Sequence, residues 1–379
     1  DLDLYDEYGG YTGHGKYGEA TGYFYAKKVD GRWWTIDPLG YPFYRVACVQ
    51  IAHGSSPDQQ KISLAKYGDV ATWAVSATEK MRELGYNSCG GWSDIESLIK
   101  VDEPLAQTKI LSILAGYAST KGLNAHSGEG TDFLWGVFPT FDPEFETFAD
   151  ERVRVQTAGY ENSRYIYGWM SDNELPSGWE MLDNSLTLDT TDHRTYYSYA
   201  TAWTFMYLKT GKADVSTADV TDELRDEFRA MVYDKYYEIC RKVLDKYVPN
   251  HMFIGSRIAG IAYRVESIVR VSSYWCDAIS FNYYGHWTPE KDLLCNLDKW
   301  SDVPFIVTEW YAKGMDAWEA DNRLINKSGA GWTVRNQTER GKYYHNFALG
   351  LMEWKNCLGF DWFKYWDNDP GDPSADPSN

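Results

Sequence analysis

Two glutamates stand out because of what precedes them. Tyr167-Gly168-Trp169-Met170 is an apolar, strand-like run leading into Ser171-Asp172-Asn173-Glu174-Leu175. Pro304-Phe305-Ile306-Val307 leads in the same way into Thr308-Glu309-Trp310. A lone glutamate says little. Two at the C-terminal ends of predicted strands, 135 residues apart, suggest paired carboxylates able to cleave a glycosidic bond. Such cleavage needs a proton on the departing oxygen and negative charge beneath an oxocarbenium-like carbon. One carboxyl must therefore be protonated near neutral pH and the other ionised. On this chemistry Glu174 is assigned as acid/base and Glu309 as nucleophile. Asn173 is expected to hold a sugar 2-hydroxyl, Tyr283 or Tyr284 to orient Glu309, and Trp362 or Trp366 to floor the subsite.

Those groups need a scaffold that brings distant strand ends together. Strand-like runs fall at 43–49, 86–89, near 110–116, and at 165–170, 252–255, 278–281, 305–307 and 358–363. Helical patterns fall at 70–84, 143–158, 193–210, 218–247 and 337–355. This alternation predicts an α/β fold, a (β/α)8 TIM barrel. The rival open doubly wound sheet lacks its usual signs, because no G-x-G-x-x-G or P-loop lies at a strand–helix junction. Ahead of the barrel, Gly22–Ala26 and Trp33–Ile36 around Asp30-Gly31 predict a β-hairpin. The expected organisation is a leader and hairpin over 1–41 and a catalytic barrel over 42–379. After the eighth strand comes only a polar tail rich in aspartate, so the last barrel helix is expected to be missing.

Chemistry in such barrels sits where strands end and loops begin. Those places offer Gln50 and His53, Trp92 and Asp94, then His126, Glu129 and Trp135. Later exits offer Asp172 and Asn173, Arg257, and Asn282, Tyr283, Tyr284 and His286. The last two offer Trp310, and Trp362, Lys364, Tyr365 and Trp366. The long 312–335 loop, with Trp332, is expected to wall the cleft. For the histidines a satisfied loop position competes with substrate contact, and for Arg257 a structural salt bridge does. His126 and Glu129 lack a third ligand at a telling distance, so no metal and no cofactor is expected. Gly91-Trp92-Ser93-Asp94 is not a nucleophile elbow.

Composition narrows the partners. The 379 residues are 44% hydrophobic, enough for a large core, and 16% aromatic, with 17 Trp and 30 Tyr suited in part to stacking on sugar rings. A net charge of −18 argues against nucleic acid and, less firmly, against a strongly anionic polymer. No apolar stretch is long enough to span a membrane. The six cysteines form no C-x-x-C pair, which leaves buried thiols and at most one disulfide. The sequence opens at Asp1 without methionine or signal peptide. That fits a processed secreted protein or a trimmed chain, with a secreted or periplasmic location expected.

The motifs together resemble clan A retaining glycoside hydrolases, and among them the β-agarase families (family 50/86 type) and related enzymes of red-algal galactans. The resemblance rests on Gly31-Arg32-Trp33-Trp34 with Asp37-Pro38-Leu39-Gly40, on Leu84-Gly85-Tyr86-Asn87 and on Gly91-Trp92-Ser93-Asp94. It extends to Phe141-Asp142-Pro143, to Gly168 with Ser171-Asp172-Asn173-Glu174-Leu175, and to Trp362-Phe363-Lys364-Tyr365. It implies cleavage of a β-galactosidic bond in an agarose-type polysaccharide or oligosaccharide with retention, Glu174 being the acid/base and Glu309 the nucleophile. Thr308-Glu309-Trp310-Tyr311 is closer to the general clan pattern than to the Gly-Glu-Phe form of exo-acting agarases. Porphyranase, carrageenase and other clan A β-glycosidase activities are the neighbouring alternatives. A non-catalytic carbohydrate-binding barrel is the alternative of another class.

Overall fold

A computed structural model describes residues 4–123, 137–317, 329–369 and 371. The first sheet is three-stranded and antiparallel, of β1 (Tyr25–Val29), β2 (Arg32–Ile36) and β3 (Pro42–Phe43). Asp30 and Gly31, both at positive φ, make the tight turn the sequence predicts.

Eight parallel strands follow: β4 (Arg45–Cys48), β5 (Ser88–Cys89), β6 (Ala106–Ile110), β7 (Ile166–Met170), β8 (Met252–Phe253), β9 (Ile279–Asn282), β10 (Phe305–Trp310) and, after two short strands, the last one. The short strands are β11 (Ala312–Gly314) and β12 (Trp332–Val334), which pair with each other. The last is β13 (Cys357–Trp362), seated between β4 and β10. A bridge between Ile258, just beyond β8, and Phe281 of β9 closes the ring. The helices are α1 (Pro57–Tyr67), α2 (Val70–Glu83), α3 (Ile95–Leu98), α4 (Ile113–Thr120), α5 (Pro143–Thr157), α6 (Met181–Leu186), α7 (Tyr196–Thr210), α8 (Asp222–Tyr247), α9 (Glu266–Trp275), α10 (Lys291–Trp300) and α11 (Gln337–Met352).

One expected element moves. The run near 110–116 is not the third strand, which is the earlier β6. Ile113 onward is α4. Periodicity alone does not separate a short buried strand from a buried helix. The helix is selected by an anchor from elsewhere: the buried Asp172 carboxylate accepts the Leu114 and Ala115 backbone N–H groups, both at 2.9 Å, and the Tyr236 hydroxyl at 2.7 Å. First-turn N–H groups have no partner within a helix, so a carboxylate there is stabilising.

The barrel interior is layered. At the N-terminal end the hairpin plugs it, with Phe24 and Phe43 packed on Tyr167 and Thr35 bonded to the Tyr167 hydroxyl at 2.8 Å. In the middle the buried Arg45 forms a bidentate pair with Asp361 at 2.7 and 2.8 Å, beside Thr108 at 3.1 Å. All six cysteines are free thiols. Among the described residues, no helix is long and apolar enough to cross a membrane.

Candidate active site

Backbone geometry marks the C-terminal mouth before any side chain is considered. Gln50, Trp92, Ser112, Glu174 and Arg257 have φ of 58°, 57°, 51°, 51° and 51°. They lie just beyond β4, β5, β6, β7 and β8 in turn. Non-glycine residues pay about 1–3 kcal/mol each for sparsely populated backbone. Five such residues on successive strand exits hold the loops so that they turn into the cleft. The exits also bind one another: Ser171 N–H donates to Gly255 O at 2.9 Å, Glu174 N–H to Arg257 O at 3.2 Å and Tyr283 N–H to Glu309 O at 2.8 Å.

Glu309 comes from an irregular strand. The pairing of β10 shifts register after Val307 on both sides, against β9 and against β13. Val307 and Trp310 pack outward in the main core, while Thr308 and Glu309 both bond to groups in the barrel mouth. A bulge re-aims side chains in this way. Glu309 is 4% exposed and its carboxyl is held at both oxygens, with Arg257 Nη2 donating to Oε1 and the Tyr284 hydroxyl to Oε2. Burial pushes Glu309 up to about 7. Arg257 and the Tyr284 hydrogen bond favour its ionised form, and the negative charge of Glu174 opposes it. Burial, then Glu309, also push the Tyr284 hydroxyl well above its ordinary value, which keeps it a donor.

Glu174 is half-buried, and its Oε1 accepts Asn282 Nδ2 at 2.7 Å. Asn282 is fixed in orientation, because its Oδ1 accepts the Thr308 hydroxyl at 2.9 Å. Arg257 Nη1 donates to Asn173 Oδ1 at 2.7 Å, and Asn282 Nδ2 lies 3.3 Å from the same oxygen. The two glutamates therefore end one continuous network, Glu174–Asn282–Asn173–Arg257–Glu309. Trp92 covers Arg257, its ring 4.4 Å from the guanidinium carbon. Gly91 leaves room for that guanidinium: a Cβ there would sit 3.3 Å from Arg257 Cζ and 2.9 Å from Ile110 Cδ1.

Other expected site residues divide. His53 lies 3.5 Å from Asp94, which also caps α3 by accepting the Ser97 backbone N–H at 3.3 Å and takes the Ser97 hydroxyl at 2.9 Å. Trp366 donates its indole N–H to the Ala52 carbonyl, over the β4 exit. Trp332 stays 38% exposed at the rim. Trp135, His126 and Glu129 lie outside the described residues.

Four expectations are corrected. Tyr283 is fully buried and donates to Glu290 at 2.8 Å, so it is Tyr284 that reaches Glu309. His286 stacks on Tyr283 at 4.8 Å and lies 3.3 Å from Glu290, engaged away from the glutamate pair. Trp310 is fully buried against Phe347 of α11, ring centroids 4.7 Å apart, because the strand sends it outward. Trp362 packs beside it at 5.0 Å, under Arg340, and does not floor the mouth. The aromatic groups there are instead Tyr284, Tyr311 at 5.3 Å from it, and Phe363 at 5.7 Å from Tyr311. Asn282 was legible as a strand-end amide. Thr308, Tyr311 and Phe363 stood inside strand-end motifs but carried no signal of a role of their own.

A cavity of about 730 Å3 between the leader and the β4–β6 starts, lined by Tyr8, Tyr44 and Tyr86 among others, lies at the opposite end of the barrel and contains neither glutamate. The strained exits and the glutamate network locate the chemistry better than cavity size does.

A parallel barrel with two networked glutamates at the ends of its fourth and seventh strands is an architecture of glycoside hydrolases. The crystal structure of BpGH50 superposes with a TM-score of 0.81 at 30% identity, over 96% of this chain and 79% of that one. The chain belongs to glycoside hydrolase family 50. The structure of PfGH50B matches its fold, with a TM-score of 0.77 at 20% identity over 96% of this chain and 63% of that one. β-Agarase B of Vibrio sp. (strain JT0107) is 23% identical over 454 aligned positions, covering 95% of this chain and 46% of the agarase. The chain thus spans less than half the length of that curated relative. No family model matches the sequence.

Proposed function

We propose that this chain is a retaining glycoside hydrolase that cleaves β-galactosidic bonds of an agarose-type galactan. The observation carrying the reading is the unequal setting of the two glutamates. Glu309 is buried and gripped at both oxygens by Arg257 and Tyr284, which suits a nucleophile that must keep one orientation. Glu174 is half-buried with one oxygen on Asn282, which suits a group exchanging protons with leaving group and water. Glu309 attacks the anomeric carbon while Glu174 protonates the departing oxygen, giving a glycosyl ester. Glu174 then takes a proton from water as that water attacks the ester, and Glu309 leaves as the carboxylate.

The substrate reading draws on the family and on the name of β-agarase B, with a net charge of −18 favouring a neutral polymer over a sulfated one. A polymer of that size is met outside the cytoplasm, so a secreted or periplasmic location belongs to the same proposal. The test is a parallel product assay on agarose, porphyran, carrageenan and laminarin, with the anomer of the first product read by NMR. Agarose should release reducing ends with retained configuration, and Glu309→Gln should lose turnover while keeping its circular dichroism. Near-normal turnover by that variant, or an inverted first product, would overturn the assignment.

A further inference from the structure

Two tryptophans sit at the rim where β9 and β10 open, each 38% exposed, with ring centroids 6.3 Å apart and planes inclined by 56°. They are Trp287 and Trp332. A short path leads from them to the nucleophile. Tyr284, which grips Glu309, lies three residues before Trp287. Its ring is 5.3 Å from that of Tyr311, and Tyr311 in turn packs so closely on Gly331 that a Cβ there would lie 2.4 Å from the ring. Trp332 is the next residue and pairs through β12 with β11, the extension of the nucleophile strand.

The Trp287 loop is also fastened. Asn346 of α11 donates to the Trp287 carbonyl at 2.8 Å and to Thr288 Oγ1 at 3.2 Å. Tyr343 donates to the His286 carbonyl at 2.9 Å and meets the Trp287 ring edge-on at 5.4 Å. A loop fastened to α11 at two backbone carbonyls and one hydroxyl, with a large ring left 38% exposed beside a second exposed tryptophan, is the arrangement of a prepared contact.

We propose that Trp287 and Trp332 form a sugar-stacking subsite for a neutral oligosaccharide, beyond the bond that is cleaved. The inference deepens the glycosidase reading and rests on it. The apolar C–H faces of pyranose rings pack on aromatic faces, and two inclined rings follow the twist of a glycan chain. The subsite makes productive binding depend on substrate length, through contacts that the shortest substrates do not reach.

The experiment measures kcat/KM for wild type, Trp287→Ala, Trp332→Ala and Tyr274→Ala across a ladder of neutral galactan oligosaccharides and the polymer. Tyr274 is a control on α9, 78% exposed. Each tryptophan variant should lose about five- to tenfold on the longest substrates, mainly in KM, with the loss shrinking as the substrate shortens. Trp287→Phe should restore most of it, and Tyr274→Ala should follow wild type. An equal loss at every length, or no loss on the polymer, overturns the subsite. A separate arm uses calorimetry with Glu309→Gln and neutral galacto-, gluco- and laminari-oligosaccharides. If no galactan is hydrolysed but binding of some oligosaccharide weakens with Trp287→Ala, the substrate reading fails and the subsite stands. If binding is indifferent to both tryptophans, the subsite fails.

Discussion

Replacing Arg257 by methionine tests how the site keeps Glu309 usable as a nucleophile. The guanidinium is fully buried, bonds to Glu309 and Asn173, and lies under Trp92. After burial itself it is the strongest influence on the Glu309 carboxyl, and it acts downward. Burial nevertheless holds that carboxyl at about 7. At neutral pH about half the molecules then carry the ionised nucleophile, and the fraction rises with pH. Removing one partner of a buried ion pair costs about 3 kcal/mol or more. Carried by the carboxylate, at about 1.4 kcal/mol per pH unit, that moves half-ionisation from about 7 to about 9.

The ionised fraction at pH 7 should therefore fall from about one half to about one in a hundred, and kcat/KM roughly fifty-fold. The loss should recover as pH rises toward about 9, because the missing charge is what favoured deprotonation. Arg257→Lys, which keeps a cation but not the fork that joins Glu309 to Asn173, should fall between the two. The assay is kcat/KM on an oligosaccharide substrate from about pH 5 to about pH 10, with circular dichroism confirming the fold. An acid limb at the wild-type pH would show that Arg257 does not govern Glu309. A loss of equal size at all pH values would make the arginine a substrate contact instead.

Two further outcomes follow from the same network. Glu174→Gln removes a negative charge that raises Glu309, so its acid limb should move to lower pH. On natural substrates that variant should also lose about 10²–10⁴-fold in rate, while an aryl glycoside with an acidic leaving group, which needs no proton donor, should lose far less. Asp172→Ala leaves the Leu114 and Ala115 N–H groups without their acceptor and leaves the Tyr236 hydroxyl to Ser171 Oγ, at 2.7 Å. It should destabilise by about 1–3 kcal/mol in urea unfolding, and an unchanged midpoint would show that α4 needs no anchor from β7.

What the sequence revealed and what it hid divide along a physical line. The hairpin at Asp30-Gly31, the α/β alternation and the strands ending in Glu174 and Glu309 are local patterns, written in runs of a few residues. The misplaced third strand has a remote cause, because the carboxylate that holds α4 lies 58 residues from Leu114 and was visible only as one more acid in a strand-end string. The aromatics failed for a related reason. Tyr283 and Tyr284, or Glu309 and Trp310, are neighbours in sequence but lie on opposite sides of a strand wall. A one-residue change of facing separates substrate contact from core. The register shift after Val307 decides that facing at Glu309: it turns Thr308 and Glu309 into the mouth together and leaves Trp310 to the helices. A regular strand would alternate and bring only one of Thr308 and Glu309 to the mouth. The bulge therefore gives the site both its nucleophile and the hydroxyl that orients Asn282 toward Glu174. Restoring regular pairing there would uncouple the two glutamates even with every site residue still in the chain.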